Sequence, residues 1–501
     1  MAVETETPGR ATPNEWLDVE MPAELPTAMW IDGEWAQASG GNTATHTSPR
    51  RGETTQVASA AEVDVERAIQ GAKNAFRSRV WAGLEPRERG EALIRWADLL
   101  DQHRDELAFL VAYEMGKPVT IAWNVEMRTA INTVRWYGEL ADKLMDESPR
   151  GRNGAVALVT REPVGVVGII TPWNFPMTLA MFKIPAALVA GNSVVAKPAS
   201  QTPFSLLRAA ELAYEAGIPS GVLQVITGSG AKVGEQLGKH DDIATLAFTG
   251  STDVGKQLLS YAGASNAKPV WLELGGKSPN IVFPDAPDLD RAASMAAWAV
   301  SFNSGQMCTA GSRLVVHEDI RDEVVAKVVD NLNAAVIGDP LDPATTLGPL
   351  AFAAHRDDVL AEIRKGIDSG AKLVLGSDTR RDDGLYVDPA VFVDVDPDSR
   401  LAQHEIFGPV LAVHSFRTEE EALAIANNTV FGLGSSVWTA DLSRAHRMAR
   451  GIDAGMVWIN CYEEGDSSVP FGGRKLSGHG ADRSNHGLDK YTHLKTTWIE
   501  L

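Results

Sequence analysis

The segment EPVGVVGIITPWNFP, residues 162–176, decides how the chain is built. VGVVGII is a short β-branched run of the kind buried in the middle of a sheet, and Pro172 ends it. Three similar runs follow: NSVVAK at 192–197, LQVITG at 223–228 and ATLAFTG at 244–250. Segments with helical spacing lie between and after them: FSLLRAAELAYEAG (204–217), AKVGEQLGKH (231–240) and STDVGKQLLSYAG (251–263). Strands alternating with helices predict a parallel sheet with right-handed crossovers, of the dinucleotide-binding type.

Upstream, ERAIQGAKNAF and GEALIRWADLLDQH place apolar residues three and four apart and predict amphipathic helices between Ala60 and Asp146. Downstream of Pro279 a second alternating series begins: NIVFP, RAASMAAWAVSF, RLVVH, EVVAKVVDNLNAAV, VLAVHSF and GLGSSVWT. It predicts a second α/β unit. The last stretch, KYTHLKTTWIEL, has the β-branched and aromatic content of a strand. A terminal strand that leaves its own domain suggests a subunit-bridging role.

The chain has 501 residues, too many for one core, with a net charge of −20 and no Lys/Arg run. Nucleic acid and anionic membrane surfaces are therefore poor partners. Only two cysteines are present, Cys308 and Cys461. That favours a reducing, cytoplasmic setting and argues against a structural zinc or other metal site. Residues 1–26 are acidic and Pro/Thr-rich, without a signal-peptide pattern, and read as a mobile tail.

Six segments carry chemistry. In PWNFP, Asn174 follows a buried strand, and its amide could stabilise an oxyanion; taken alone, it could equally cap a helix. Lys197 ends a strand, where it could donate to ribose hydroxyls or phosphate, or simply be solvated. VITGSGAKVG has glycines at 228, 230 and 234 and does not match the G-x-G-x-x-G fingerprint. In LAFTGSTDVG, Gly250 and Ser251 stand between a strand and a helix start, suited to phosphate or to an ordinary Ser cap. Glu273, in WLELGG, sits in an apolar run that would raise its pKa into the range of a general base, unless it faces solvent. Cys308, in FNSGQMCTAGSR, has small neighbours that permit close approach of a substrate to a nucleophilic thiolate; an unplaced cysteine is otherwise usually inert. HEIFGPV could bring Glu405 and Phe407 to a ribose and a ring.

Taken in order, PWNFP, KPAS, FTGSTDVG, LELGGKSP, GQMC, EIFGPV and PFGGRKLSG resemble the aldehyde dehydrogenase superfamily from about Trp30 to Leu501. The resemblance implies a Rossmann-type cofactor domain (27–145 and 163–274), an α/β catalytic domain (275–476) and an oligomerisation β-arm (146–162 and 487–501), in a homodimer or homotetramer. It implies Cys308 as the thiol that forms a thiohemiacetal and then a thioester, Asn174 and the Cys308 N–H around the oxyanion, and Glu273 as the base for hydrolysis to the acid. It places NAD or NADP against Thr171, Pro172, Trp173, Lys197, Ser200, Gly230, Phe248, Gly250, Ser251, Leu274, Glu405 and Phe407. Many NAD-specific members have Glu at the position of Ser200. Its loss removes repulsion against a 2′-phosphate, so NADP is expected to be accepted.

Several stretches, among them LDPATTLGPL, VWTADLSRAHRM and the segment from Gly465 to Leu501, look most like γ-glutamyl-γ-aminobutyraldehyde and related aminoaldehyde dehydrogenases of polyamine breakdown. Glu463, Glu464 and Asp466 precede PFGG, where carboxylates could attract a cationic amine. KPASQTPFS is also how NADP-using succinate-semialdehyde dehydrogenases read, but no arginine constellation for a second carboxylate is evident. A non-catalytic binding or structural protein on this fold should have lost the thiol, the base or the amide. All three are present.

Overall fold

The computed structural model describes residues 24–501, so nearly all of the predicted tail lies outside the described residues. Two sheets organise the rest. The first has eight strands in the order Glu34–Ala36, Met29–Ile31, Leu223–Val225, Ser193–Lys197, Val166–Ile170, Thr245–Thr249, Val270–Glu273 and Gly478–His479. Its five inner strands are parallel, and the direction of chain travel across the sheet reverses between Val166–Ile170 and Thr245–Thr249. Open α/β sheets bind ligands at such a switch point, outside the carboxyl ends of the strands.

Register brings the motifs to that edge. Ile170 pairs with both Lys197 and Phe248, and Glu273 pairs with Thr249. Thr171, Lys197, Gly250 and Glu273 therefore leave the sheet at one level. Two features differ from the sequence reading. The outer antiparallel strands Met29–Ile31 and Glu34–Ala36 are too short to show a periodic pattern. The edge strand Gly478–His479 comes from beyond the predicted catalytic segment and closes the sheet beside Glu273. AKVGEQLGKH also forms a wide turn (Gly230–Gly234) followed by only a short helix (Glu235–Lys239).

The second sheet has seven strands: Lys372–Leu375, Ala390–Val393, Val410–Phe416, Arg313–His317, Pro279–Val282, Gly434–Trp438 and Met456–Ile459. All pair in parallel except the first. Helices cover both faces of each sheet, which explains why most inner strands are buried along their whole length instead of alternating. The predicted amphipathic helices form at Glu62–Arg77 and Pro86–Gln102. Trp81, in the turn between these helices, and Trp96, in the second, are buried with acceptors: Trp81 Nε1 donates to Leu188 O at 2.8 Å and Trp96 Nε1 to Ala209 O at 2.9 Å. Among the described residues no helix is long and apolar enough to cross a membrane.

The C-terminal strand, Thr492–Glu500, forms an antiparallel ladder with Ala155–Pro163 and, among the described residues, with no other strand. This two-stranded arm leaves Leu494 60% and Trp498 51% exposed.

The loop bearing Cys308 is pinned to the turn at Gly408–Pro409. Gly305 has φ +75°, and a Cβ there would overlap the backbone of Gly408 and Pro409. Gly305→Ala is therefore expected to destabilise the protein by about 1–3 kcal/mol. Chemical denaturation should show this as a lower midpoint, and an unchanged midpoint would mean the loop is not fixed this way.

Candidate active site

Cys308 lies just after the turn Phe302–Gly305, in which Asn303 and Ser304 adopt left-handed φ of 52° and 57°. That turn carries the chain from the helix Leu289–Ser301 back toward the first sheet. Asn174 meets it there. Its Nδ2 donates to Gln306 O at 3.1 Å, and its own carbonyl accepts from Asn303 Nδ2 at 3.0 Å and from Lys117 Nζ at 2.9 Å. Asn174 does not cap the helix Pro176–Met181, whose N-cap is Phe175. One amide N–H is thus spent on the cysteine loop, and a second remains for a ligand. The backbone N–H of Cys308 has no acceptor among the described residues. Beneath the loop, Gly276 lets the Cys308 carbonyl pack where a Cβ would collide with it.

A cavity of about 480 Å³ opens between the sheets and reaches Cys308 and Asn174. Its walls include Pro172, Trp173, Gly250, Ser251, Leu274, Glu405 and Phe407, and Phe352 and Phe407 pack edge-on against the Trp173 ring. Of the other predicted cofactor residues, Thr171, Lys197 and Phe248 are buried behind this wall; Thr171 N donates to Lys197 O at 3.1 Å. Ser200 Oγ donates to Gly228 O at 3.0 Å. Gly230 sits in an exposed turn and does not line the cavity.

The electrostatics of the site follow from burial. Cys308 keeps a partial opening to the cavity, but its surroundings push the thiol pKa up, with the charges of Glu463, Glu405 and Glu273 adding to the effect. Glu273, the last residue of its strand, is buried, and neither carboxylate oxygen has a hydrogen-bond partner. Burial first and the charge of Asp482 second hold its pKa well above the usual range, while Lys183 and Lys490 oppose this. Those three residues form a buried ion triad in which both ammonium groups bond the Asp482 carboxylate. The triad carries a net positive charge beside Glu273. Lys197 is 3% exposed, and burial lowers its pKa to about 8. Glu405 is pushed up to about 7 by burial, against the Gly276 N–H, which donates to it at 2.8 Å.

These residues fit a dinucleotide. Glu405 lines the cavity, where its carboxylate could accept from a ribose diol. Gly250 and Ser251 open the helix Thr252–Gly263, where free N–H groups favour phosphate. Thr249 Oγ1 is buried without a partner on the same edge.

A profile of the aldehyde dehydrogenase family matches residues 35–497. The chain belongs to the aldehyde dehydrogenase family. It is 45% identical over 489 residues to the NADP/NAD-dependent aldehyde dehydrogenase PuuC of Escherichia coli, covering 97% of this chain and 98% of that one. Among solved structures, the indole-3-acetaldehyde dehydrogenase AldA of P. syringae, in complex with NAD+ and IAA, superposes with a TM-score of 0.96 at 47% identity over 98% and 100% of the two chains. The γ-glutamyl-γ-aminobutyraldehyde dehydrogenase of Burkholderia cenocepacia superposes with a TM-score of 0.94 at 47% identity over 97% and 98%. The chain is thus an aldehyde dehydrogenase, an enzyme of the fold anticipated from its motifs.

Several residues of this dehydrogenase site were not legible in the sequence. Lys117 and Glu126 are both fully buried and ion-paired, and Glu126 Oε1 accepts from Met177 N at 2.9 Å. They stiffen the segment bearing Asn174. Lys183 lies 299 residues before Asp482, while Lys490 follows Asp482 by eight, so no local spacing announces the triad. If the triad holds down the Glu273 pKa, Lys183→Met removes a cation and leaves Glu273 more often protonated. The ascending pH limb of thioester hydrolysis should then move up by about one unit or more, read from single-turnover rates. A limb that stays in place or moves down would contradict this role.

Proposed function

We propose that this dehydrogenase oxidises aldehydes bearing an amino group, with NADP or NAD, through a thioester on Cys308. The observation that carries the substrate class is Glu463, a half-buried carboxylate whose charge bears on the thiol of Cys308. Glu464 and Asp466 are exposed in the same loop. The similarity to PuuC and to the γ-glutamyl-γ-aminobutyraldehyde dehydrogenase supports the same reading.

In this account the Cys308 thiol gives up its proton to water in the cavity, and its sulfur bonds to the aldehyde carbon as the C=O π pair moves onto oxygen. Asn174 Nδ2 and the Cys308 N–H hold the resulting oxyanion. A bound nicotinamide supplies the oxidant by accepting hydride from that carbon. The carbonyl then re-forms as a thioester. Glu273, once ionised, takes a proton from water, which attacks the thioester; the acid leaves and the thiol is restored. A base with a raised pKa is mostly protonated at low pH, so hydrolysis rises as pH climbs through that pKa.

Ser200 stands where a carboxylate would repel a 2′-phosphate, and its hydroxyl points to the Gly228 carbonyl on the cofactor side. This supports acceptance of NADP. The two sheets support a division into cofactor (27–145 and 163–274) and catalytic (275–476) domains. The exposed apolar arm supports assembly as a dimer or tetramer. Two free thiols are consistent with a cytoplasmic setting.

Steady-state kinetics with 3-aminopropionaldehyde, 4-aminobutyraldehyde and succinate semialdehyde, each with NAD and NADP, tests the reading. An amino-bearing aldehyde should win, and a clear preference for succinate semialdehyde would overturn the substrate class. A kcat/KM with NADP about a hundredfold below that with NAD would overturn the cofactor reading. Ser200→Glu should lower kcat/KM with NADP by about tenfold or more, through like-charge repulsion.

A further inference from the structure

The cavity that reaches Cys308 also runs along one face of the helix Ala353–Asp368. His355, Asp358, Glu362 and Lys365 all line it, at the three- and four-residue spacing that sets side chains on a single helix face. His355 marks the reacting end of this wall. Its Nε2 lies 2.8 Å from the Phe407 carbonyl, and its ring is 5.2 Å from the Trp173 ring. Glu362 stands two turns further along, about 10 Å at the helical rise. There it meets Arg400, the first residue of the short helix Arg400–Gln403, which leads into the segment bearing Glu405 and Phe407. Arg400 lines the cavity as well, and the chemistry proposed above uses neither residue.

Arg400 is held in one pose. Its Nε and Nη2 donate to the two Glu362 oxygens, each at 2.8 Å, and Lys365 Nζ donates to one of them at 2.7 Å. The Glu362 side chain is 11% exposed, whereas that of Arg400 is 53% exposed. Burial alone would raise the Glu362 pKa, but the bonds from Arg400 and Lys365 hold it down at about 2, so the carboxylate stays charged. One negative charge thus fixes two positive ones. Arg400 Nη1 has no acceptor among the described residues, which leaves N–H donors unspent on the wall. Beside them, Asp358 is exposed a turn nearer His355, and burial first and the Arg400 charge second lower the His404 pKa. An ion pair this open to water contributes little to stability by itself.

The wall supplied by the first sheet carries donors of its own. The unspent N–H groups at the start of the helix Thr252–Gly263 are there, and so is the buried Thr249 hydroxyl, which has no partner. We infer that Arg400, fixed by Glu362 with Lys365 beside it, is the catalytic unit's half of a two-sided grip on the diphosphate of the dinucleotide. The inference rests on the dinucleotide occupying this cavity. With the nicotinamide toward Cys308 and its ribose at Glu405, the diphosphate is the next part of the cofactor, and it carries the negative charge. A guanidinium suits it because the group is planar and always charged, and the Glu362 fork has already restricted its motion.

Fluorescence titration of NADH and NADPH, without aldehyde, tests the grip in wild type, Arg400→Met, Arg400→Lys and Ser251→Glu, with ADP-ribose and adenosine as displacing ligands. Arg400→Met should raise Kd for NADH, NADPH and ADP-ribose by one common factor of about five or more at low salt, the size of one charge-assisted hydrogen bond that is open to water. The difference should shrink as salt is added. Adenosine lacks the diphosphate and should displace NADH with its wild-type affinity, which separates the effect from a general loss of folding. Arg400→Lys keeps the charge without the fork and should recover part of the affinity. An NADH Kd in Arg400→Met within twofold of wild type overturns the grip. A loss confined to NADPH also overturns it, by assigning Arg400 to the 2′-phosphate, as does an equal loss for adenosine. Ser251→Glu puts a carboxylate at the helix start and should weaken NADH binding by about tenfold or more. If it does not, the dinucleotide lies elsewhere and its placement fails together with the grip; if only Arg400→Met is silent, the placement stands and the grip alone is lost.

Discussion

Cys308 and Glu273 are weak acids enclosed in one seam between two sheets, and enclosure opposes the charged form of each. The chemistry needs both charged, at different moments. A thiol with a raised pKa waits for a substrate, and a protonated carboxyl beside it is not yet a base. Much of the surrounding structure can be read as a supply of compensating charge. The Lys183–Asp482–Lys490 triad sets positive potential beside Glu273. The Asn174 amide and the Cys308 N–H offer donors where negative charge would develop. Low dielectric makes each of these dipoles count for more than it would in water.

Holding such a seam closed demands stiffness across the domain boundary. Asn174 leaves the first sheet and hydrogen-bonds the cysteine loop of the second unit, while Asn303 of that loop bonds back to the Asn174 carbonyl. Lys117 joins the same carbonyl, and its partner Glu126 holds the next helix by its N-terminus. The strand Gly478–His479 adds a third link by pairing directly with Glu273. The base, the amide and the nucleophile are therefore positioned by one connected set of bonds drawn from both units.

The sequence made the strands and the motif order legible because buried parallel strands leave long apolar runs, and Gly and Pro mark their ends. Val166–Ile170, Ser193–Lys197 and Thr245–Thr249 fall where the pattern put them. Local readings of single residues were ambiguous, and burial resolved them: Lys197 is enclosed instead of solvated, Glu273 faces the core, and Asn174 is no helix cap. Ser251 caps a helix and also lines the cavity. What stayed hidden were partners far apart in the chain. Lys183 and Asp482 are separated by 299 residues, and nothing in the spacing of either announces an ion pair.

The central claim is that Cys308 carries the acyl group and Glu273 releases it. Mass spectrometry of Glu273→Gln, mixed with NAD and an aldehyde substrate and then acid-quenched, tests this most directly. The account predicts one stoichiometric burst of reduced cofactor and an acyl adduct on the peptide containing Cys308, stable long after wild type has turned over. An adduct on Cys461, or a variant that turns over freely without accumulating any thioester, would contradict it.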